Sequence, residues 1–496
     1  MAVSVPKGNI EIESGVNSNL VVDVDDKGEI VQWTRDKRRS TQQWKLAAVP
    51  ESEGFYHIKS ASSDDVIAAA NMWTLIIEPL QRGKTAQQWS LISVGGDVYR
   101  LNNLGHNRIA SVNEASTDPG AAVILYDDQG QLNQQWKLIP TVTTPTLRGP
   151  LQAWGNNATG QLGDGTTLNR SAPLVLCLTG LKAIAGGGEH SLALLEDGTV
   201  RAWGKGGDGQ IGDNATFQRA APRRSRLTGV TAIAAGAAHS LALLLDNDSV
   251  VAWGDNAYGQ LGDNSTTDRL EPRPVTLLDE VTAIAAGDNH SLALKDGAVY
   301  AWGYNGYGQL GDGSSANRPS PVQVLGLTGV TAITGGSLYS LALLKDGTVR
   351  AWGYNGYGQL GDNTTTSRPS PVQVLGLTGV TAIASGYYHG LALLEDGTVR
   401  AWGSNVYGQL GDNTTTSRPS PVQVLNLTGV AAIAASNSGH HSLALLEDGT
   451  VFAWGYNGYG QLGEGTATNQ PYRQEVACLT GIKAIAAGGN HSLASG

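Results

Sequence analysis

The triplet Ala-Trp-Gly occurs seven times in the last two thirds of this chain, and that recurrence limits its folds more than any other feature. The tryptophans are Trp154, Trp203, Trp253, Trp302, Trp352, Trp402 and Trp454, spaced by 49, 50, 49, 50, 50 and 52 residues. A period of this length marks one supersecondary unit repeated until neighbouring copies bury each other's faces. Each copy holds four short apolar stretches separated by turn residues. In the fifth copy these are Thr348 to Trp352, Pro371 to Leu375, Thr381 to Ala384 and Leu391 to Leu394. The proline places the second at a sheet edge, and an Asp-Gly turn joins the fourth to the next copy's first strand as a hairpin. Four antiparallel strands per period, seven times, predict a seven-bladed β-propeller over residues 149–496.

The ends of the array predict how it closes. The last copy stops at His491-Ser492-Leu493-Ala494, short of its hairpin partner, and that partner stands at the other end as Gly149-Pro150-Leu151-Gln152-Ala153-Trp154. The terminal strands are therefore expected to pair. The wording of the copies, AWGxNxxGQLGDG…RPSPVQVLGLTGVTAIAAG…HSLALLEDGTV, closely resembles the RCC1 (regulator of chromosome condensation) repeat. That resemblance implies a propeller that acts by binding. Such rings include an exchange factor for a small GTPase, ubiquitin-ligase modules and a bacterial β-lactamase inhibitor, and fold does not choose among them. No basic tail flanks the ring, which disfavours exchange on a chromatin-bound GTPase.

Residues 1–139 have a separate period. Gln42-Gln43-Trp44, Gln87-Gln88-Trp89 and Gln134-Gln135-Trp136 each precede a short apolar ending. Three such units, each closing on Gln-x-Trp, resemble the ricin-B-type (R-type) lectin β-trefoil over about 8–139, with the tryptophans filling a three-fold core. The chain is thus read as all-β, a trefoil followed by a propeller. Residues 140–148, PTVTTPTLR, form a short Pro/Thr linker between them.

The trefoil resemblance implies a glycan, of galactose type. The family pocket uses a carboxylate to accept hydroxyl hydrogen bonds, a ring face for the sugar's C–H patch, and an Asn before the motif. The first repeat offers Asp23, Trp33 and Gln42 but has Thr41 where Asn is usual. The third offers Tyr126, Asn133 and Gln134 but has Ser111 in place of Asp. Alanines and Glu78-Pro79 fill the corresponding stretch of the second, which reads as inactive. Asp23-x-Asp25 resembles the start of a calcium loop, but Lys27 stands where an oxygen ligand belongs. No metal or cofactor is expected.

Composition narrows the partners. A net charge of −10 with only 15% charged residues lacks the basic face that nucleic acid requires, so no nucleic-acid partner is expected. No stretch is apolar enough to insert in a membrane, and the N-terminus has no apolar leader core. Synthesis in the cytosol is the expectation. Cys177 and Cys478 occupy one slot in the first and last copies and are read as free thiols, too far apart to bridge.

Three recurrences look like chemistry. GxGxxG at Gly356 precedes a polar loop and an edge strand rather than a helix, which argues for a turn and against a dinucleotide. His190, His239, His290, His389, His441 and His491, with Tyr339 in the fourth position, share one slot and are expected to hydrogen-bond within their own blades. Each is followed by a residue pointing the other way, so a Ser–His nucleophile pair is not expected. Arg170, Arg219, Arg269, Arg318, Arg368 and Arg418 are expected to bind loops within each blade, and no catalytic set emerges.

The copies differ most after Trp-Gly and before the His slot, where Tyr, Asn and Gly dominate as they do on recognition surfaces. Tyr258, Tyr304, Tyr307, Tyr354, Tyr357, Tyr388, Tyr407, Tyr456 and Tyr459 form the candidate protein-binding face; packing between blades is the competing role. The reading is a non-catalytic binding protein joining a carbohydrate-binding trefoil to a protein-binding propeller. A released inhibitor or toxin-like lectin, and a structural self-assembling repeat protein, are the alternatives. Oligomeric state is left open by the sequence.

Overall fold

The computed structural model describes residues 149–496 except residue 247, and between 9 and 140 the strand residues together with residues 87, 88 and 134. The chain divides into two compact units, Met1–Thr144 and Pro145–Gly496.

In the first unit twelve strands follow in order: β1 (Asn9–Ser14), β2 (Asn17–Val24), β3 (Ile30–Thr34), β4 (Trp44–Ala48), β5 (Phe55–Ser60), β6 (Asp65–Ala69), β7 (Leu75–Pro79), β8 (Trp89–Gly95), β9 (Val98–Asn103), β10 (Arg108–Val112), β11 (Val123–Tyr126) and β12 (Trp136–Pro140). Strands β1, β4, β5, β8, β9 and β12 pair in a closed circuit. The hairpins β2–β3, β6–β7 and β10–β11 complete a β-trefoil. Trp44 and Trp89 are fully buried. Their indole N–H groups donate to the carbonyls of Val22 at 3.3 Å and Ile67 at 3.1 Å. Trp44 and Trp89 thus tie strands β4 and β8 to the hairpins β2–β3 and β6–β7, while the buried Ile12, Ile30, Ile58, Leu75 and Leu101 line one apolar core.

The second unit is seven four-stranded sheets in a ring. Blades are numbered here by their tryptophans, from Trp154 in blade 1 to Trp454 in blade 7. Blade 5 runs from an inner strand Val330–Gly335 through Tyr339–Leu344 and Val349–Gly353 to an outer strand Arg368–Gln373. The outer strand starts three residues earlier than the sequence pattern indicates. Pro369 and Pro371 are tolerated there because an outermost strand has a free edge.

Blade 1 is composite. Leu151–Gly155 pairs antiparallel with His491–Ser495, from Leu151 opposite Ser495 to Gly155 opposite His491. The ring is closed by main-chain hydrogen bonds between its two ends, as the sequence predicts.

The recurring Gly-Gln-Leu-Gly is what joins one blade to the next. The Gln359 carbonyl of blade 5 accepts the Trp402 indole N–H of blade 6 at 2.9 Å, and Leu360 is fully buried. Gly358 has φ 78°, and a Cβ there would lie 2.4 Å from Cα of Pro419 in the next outer strand. Only glycine allows that approach. All seven tryptophans are fully buried and make the equivalent bond. A GxGxxG match here is a blade connector.

Candidate functional site

The histidine slot departs from expectation. Each imidazole reaches the next blade, not its own. His190 Nε2 lies 2.9 Å from Ser240 Oγ, and His239–Ser291, His290–Ser340, His389–Ser442, His441–Ser492 and His491–Ser191 repeat the contact at 2.8–3.0 Å. The same serines donate to the Gln carbonyls that hold the tryptophans. A hydroxyl has one proton, so each serine accepts from Nε2–H, which fixes the neutral tautomer. Burial holds His190, His290, His389, His441 and His491 at about 3 and His239 at about 4. His–Ser pairs therefore do exist, across blades, but all are fully buried and each hydroxyl proton is committed to a carbonyl. Among the described residues no three His, Cys, Asp or Glu side chains converge as a metal site.

The one blade boundary without the pair has two exceptions that fit each other. Tyr339 replaces His in blade 5 and Gly390 replaces the serine in blade 6. The Tyr339 hydroxyl donates to the main-chain carbonyl of His389 instead.

The repeated arginines stay within their blades. Arg170, Arg219, Arg269, Arg318, Arg368 and Arg418 pair with Asp164, Asp213, Asp263, Asp312, Asp362 and Asp412 at 2.6–3.1 Å. Burial pushes the Asp164 carboxyl up, but hydrogen bonds from Arg170, Thr166 and Asn157 outweigh it and hold the group at about 2. These arginines brace the loop that follows Trp-Gly. Asn157 secures the same loop, donating to Asp164 and accepting from the Leu162 amide. Cys177 and Cys478 are free and exposed.

That brace presents the tyrosines. Ring contacts run without a break from blade 3 to blade 7: Tyr258–Tyr304 at 4.8 Å, Tyr304–Tyr307 at 6.5 Å, Tyr307–Tyr354 at 4.9 Å and Tyr354–Tyr388 at 5.5 Å. Tyr357 stacks on Tyr388 at 5.2 Å, and the series continues through Tyr387, His440, Tyr407, Tyr456 and Tyr459. All nine tyrosines singled out from sequence lie in this arc, joined by Tyr387 and His440. The rings pack between blades and also face solvent, since Tyr258, Tyr307, Tyr357 and Tyr459 are 39–43% exposed. Burial raises the hydroxyls of Tyr304, Tyr354 and Tyr456. The Gly of Tyr-Asn-Gly-Tyr makes room for the first ring, because a Cβ at Gly356 would sit 2.1 Å from the Tyr354 hydroxyl. Blade 6, with Ser404 there, carries Val406 instead of glycine.

Inside the arc is the central channel, about 280 Å³, lined by the inner strands' Ile and Ala residues. Blade 7 has two extra residues at its inner turn, the source of the 52-residue spacing. The turn carries Asn437 across the channel, where its amide donates to the carbonyls of Ala235 at 3.0 Å and Ala286 at 2.9 Å. Those carbonyls belong to blades 3 and 4, the two opposite blade 7. Beside the plug Asp288 is nearly buried, and it accepts from Ser337 at 2.6 Å and from Ser438. Sequence reasoning missed Asn437 and Asp288; the 52-residue spacing was the available signal for Asn437 alone.

In the trefoil, Asp23 pairs with Val31 and Trp33 with Val21, two rungs apart on one hairpin. Tyr126 pairs with Ile109, and Gln134 is buried. Gln42 and Asn133 lie outside the described residues. Counting from the carbonyls that Trp44 and Trp89 bind, Ala68 occupies the second repeat's counterpart of Asp23, and it is fully buried. Ser111, which sequence comparison places there in the third repeat, is 3% exposed.

Residues 276–495 match the RCC1-like domain, and 149–194, 197–243 and 247–294 match the regulator of chromosome condensation (RCC1) repeat. Residues 149–495 are an RCC1-repeat propeller. Residues 85–161 match the ricin-type beta-trefoil lectin domain-like family. Among solved structures, yeast RCC1 (Prp20) bound to Kap60 is similar at TM-score 0.64 and 23% identity, covering 71% of this chain and 90% of that one. Human WBSCR16 is similar at 0.63 and 26%, covering 70% and 98%. A 58-residue stretch is 47% identical to the mitochondrial RCC1 domain-containing protein RUG3 of Arabidopsis thaliana, covering 11% of this chain and 13% of that protein. Another 58-residue match is 50% identical to the probable E3 ubiquitin-protein ligase HERC6 of Homo sapiens, covering 11% and 6%. The chain thus spans a small part of either relative. It combines a lectin-like trefoil with an RCC1-repeat propeller.

Proposed function

We propose that this chain is a non-catalytic binding protein whose propeller holds a protein partner on the tyrosine-bearing loop face and whose trefoil takes a carbohydrate. The continuous arc of partly exposed tyrosines from five blades carries the reading. Large amphipathic rings on a stiff frame supply contact area at small cost in conformational entropy. The frame is stiff because the Trp–Gln and His–Ser bonds repeat around the ring. For the glycan the first repeat is favoured, since only there does a carboxylate, Asp23, stand in the slot that holds a buried Ala68 and Ser111 in the other repeats. A galactose-type sugar is the class implied by the lectin-like family.

The face is tested by quantitative affinity enrichment from cells that make the protein, using full-length wild type beside a Tyr307→Ala/Tyr357→Ala/Tyr459→Ala variant. Partners held by the wild type and lost by the folded triple variant are the expected result. Equal recovery on both would remove the tyrosine face as the interface.

A further inference from the structure

The tyrosine face has a charge pattern that specifies its occupant. Its inner turns, together with the four residues after each Trp-Gly, contain Glu189, Asp208, Asp255 and Asp288 as carboxylates and Lys205 as the one fixed cation. Lys205 is already shared between Glu189 and Asp208, at 3.6 Å to each. His440 is held neutral by burial, at about 4. The blade arginines are tied to their own aspartates. Asp255 and Asp288 are therefore left without a described cation, among tyrosine rings whose π faces also attract cations.

Asp288 is the strongest of these signals. It is 8% exposed. Its oxygens are met by hydroxyls of Ser337 and Ser438 rather than by any described lysine or arginine. It lies near enough to Tyr388 for its charge to help raise that phenol. A buried carboxylate without a counter-ion is costly in the free protein, and the cost is offset when a cation arrives. Ala286 and Asn437 line the channel two and one residues from Asp288 and Ser438, which places this carboxylate at the channel mouth, inside the arc.

We propose that the arc docks a segment of a partner protein bearing lysine or arginine, the cation seating beside Asp288 with its stem across Tyr387 and Tyr388. The inference rests on the tyrosine face being a protein interface, and it assigns that interface's chemistry. An acidic or purely apolar segment would meet like charge or leave Asp288 unpaired.

The test is selection of a random dodecapeptide library on the full-length protein, followed by titration of the selected peptides against wild type, Asp288→Asn and Tyr357→Ala. Asparagine keeps the shape and an acceptor for the serines, and thermal melting confirms that each variant is folded. The expected result is peptides enriched in Lys or Arg that weaken at least ten-fold on both variants. Tyrosine-dependent peptides that are neutral or acidic, or that ignore Asp288→Asn, would overturn the cation assignment and leave the interface standing. A selection that yields no tyrosine-dependent peptide would overturn both.

Discussion

Restoring the repeat consensus at the boundary between blades 5 and 6 is a demanding check on how the ring is held. Tyr339 is fully buried where six other blades have histidine. A Cβ at Gly390 would lie 2.5 Å from Cε2 and Cζ2 of Trp402, so that indole occupies the space the serine fills elsewhere. Gly390→Ser alone must push Trp402 aside, an overpacking that costs about 1–3 kcal/mol. Tyr339→His alone empties part of the site and leaves a buried Nε2–H facing a glycine, at about 1–3 kcal/mol for the unmade bond. The double variant recreates the pair that holds the other six boundaries at 2.8–3.0 Å. It should be more stable than the sum of the singles by about 1–3 kcal/mol. The assay is a double-mutant cycle by denaturant unfolding, followed by tryptophan fluorescence. Additivity within about 0.5 kcal/mol would refute the claim that the two exceptions compensate each other.

Three further outcomes follow from the same structure. The six slot histidines are neutral when folded but titrate near 6.5 when unfolded. Stability is therefore full above pH 6.5 and falls as pH drops toward 3, by about 2 kcal/mol per histidine at pH 5. That total rivals a domain's whole stability, so circular dichroism should show steep acid unfolding of the propeller near pH 5; a ring still folded at pH 4 would contradict it. Asp288 has the opposite sign: burial raises its carboxyl to about 6, so its contribution is full below pH 4 and lost as pH rises through 6. His239, at about 4, and the neutral Tyr388 are the titratable neighbours. Asp288→Asn should raise the propeller's stability at pH 8 by about 2–3 kcal/mol, with the gain vanishing near pH 4, and melting curves at both pH values decide it. Deleting the residues after Gly488 removes the strand that pairs with Leu151–Gly155, so the propeller Tm should fall sharply; an unchanged Tm would exclude closure by the terminal strands.

Much of the architecture is readable from spacing because each copy must satisfy the same contacts. The Trp period, the free edge at Arg368–Gln373 and the split first blade are all consequences of one repeated unit. What spacing cannot show is which copy a side chain reaches. The His–Ser bonds look local in sequence because the two residue types are adjacent, yet the bonded serine lies 50 to 53 residues ahead, or 300 behind at the closure. Tyr339 and Gly390 are visible as exceptions, but their complementarity appears only once blades 5 and 6 are side by side. Asn437 hid for a related reason: an insertion of two residues reads as a longer turn until the opposite blades' carbonyls come into view. The tyrosines were legible because they vary against a constant frame. The trefoil pocket is legible only as far as the register of Asp23 and Trp33.

In the proposed function the two units bind separately, the trefoil a carbohydrate and the propeller a protein. The most direct test is a glycan array probed with full-length wild type, Asp23→Ala and the Tyr307→Ala/Tyr357→Ala/Tyr459→Ala variant. Binding to galactose-type glycans is expected for the wild type and the tyrosine variant, and its loss for Asp23→Ala. Absence of glycan binding by the wild type, or binding that survives Asp23→Ala and fails in the tyrosine variant, would contradict it.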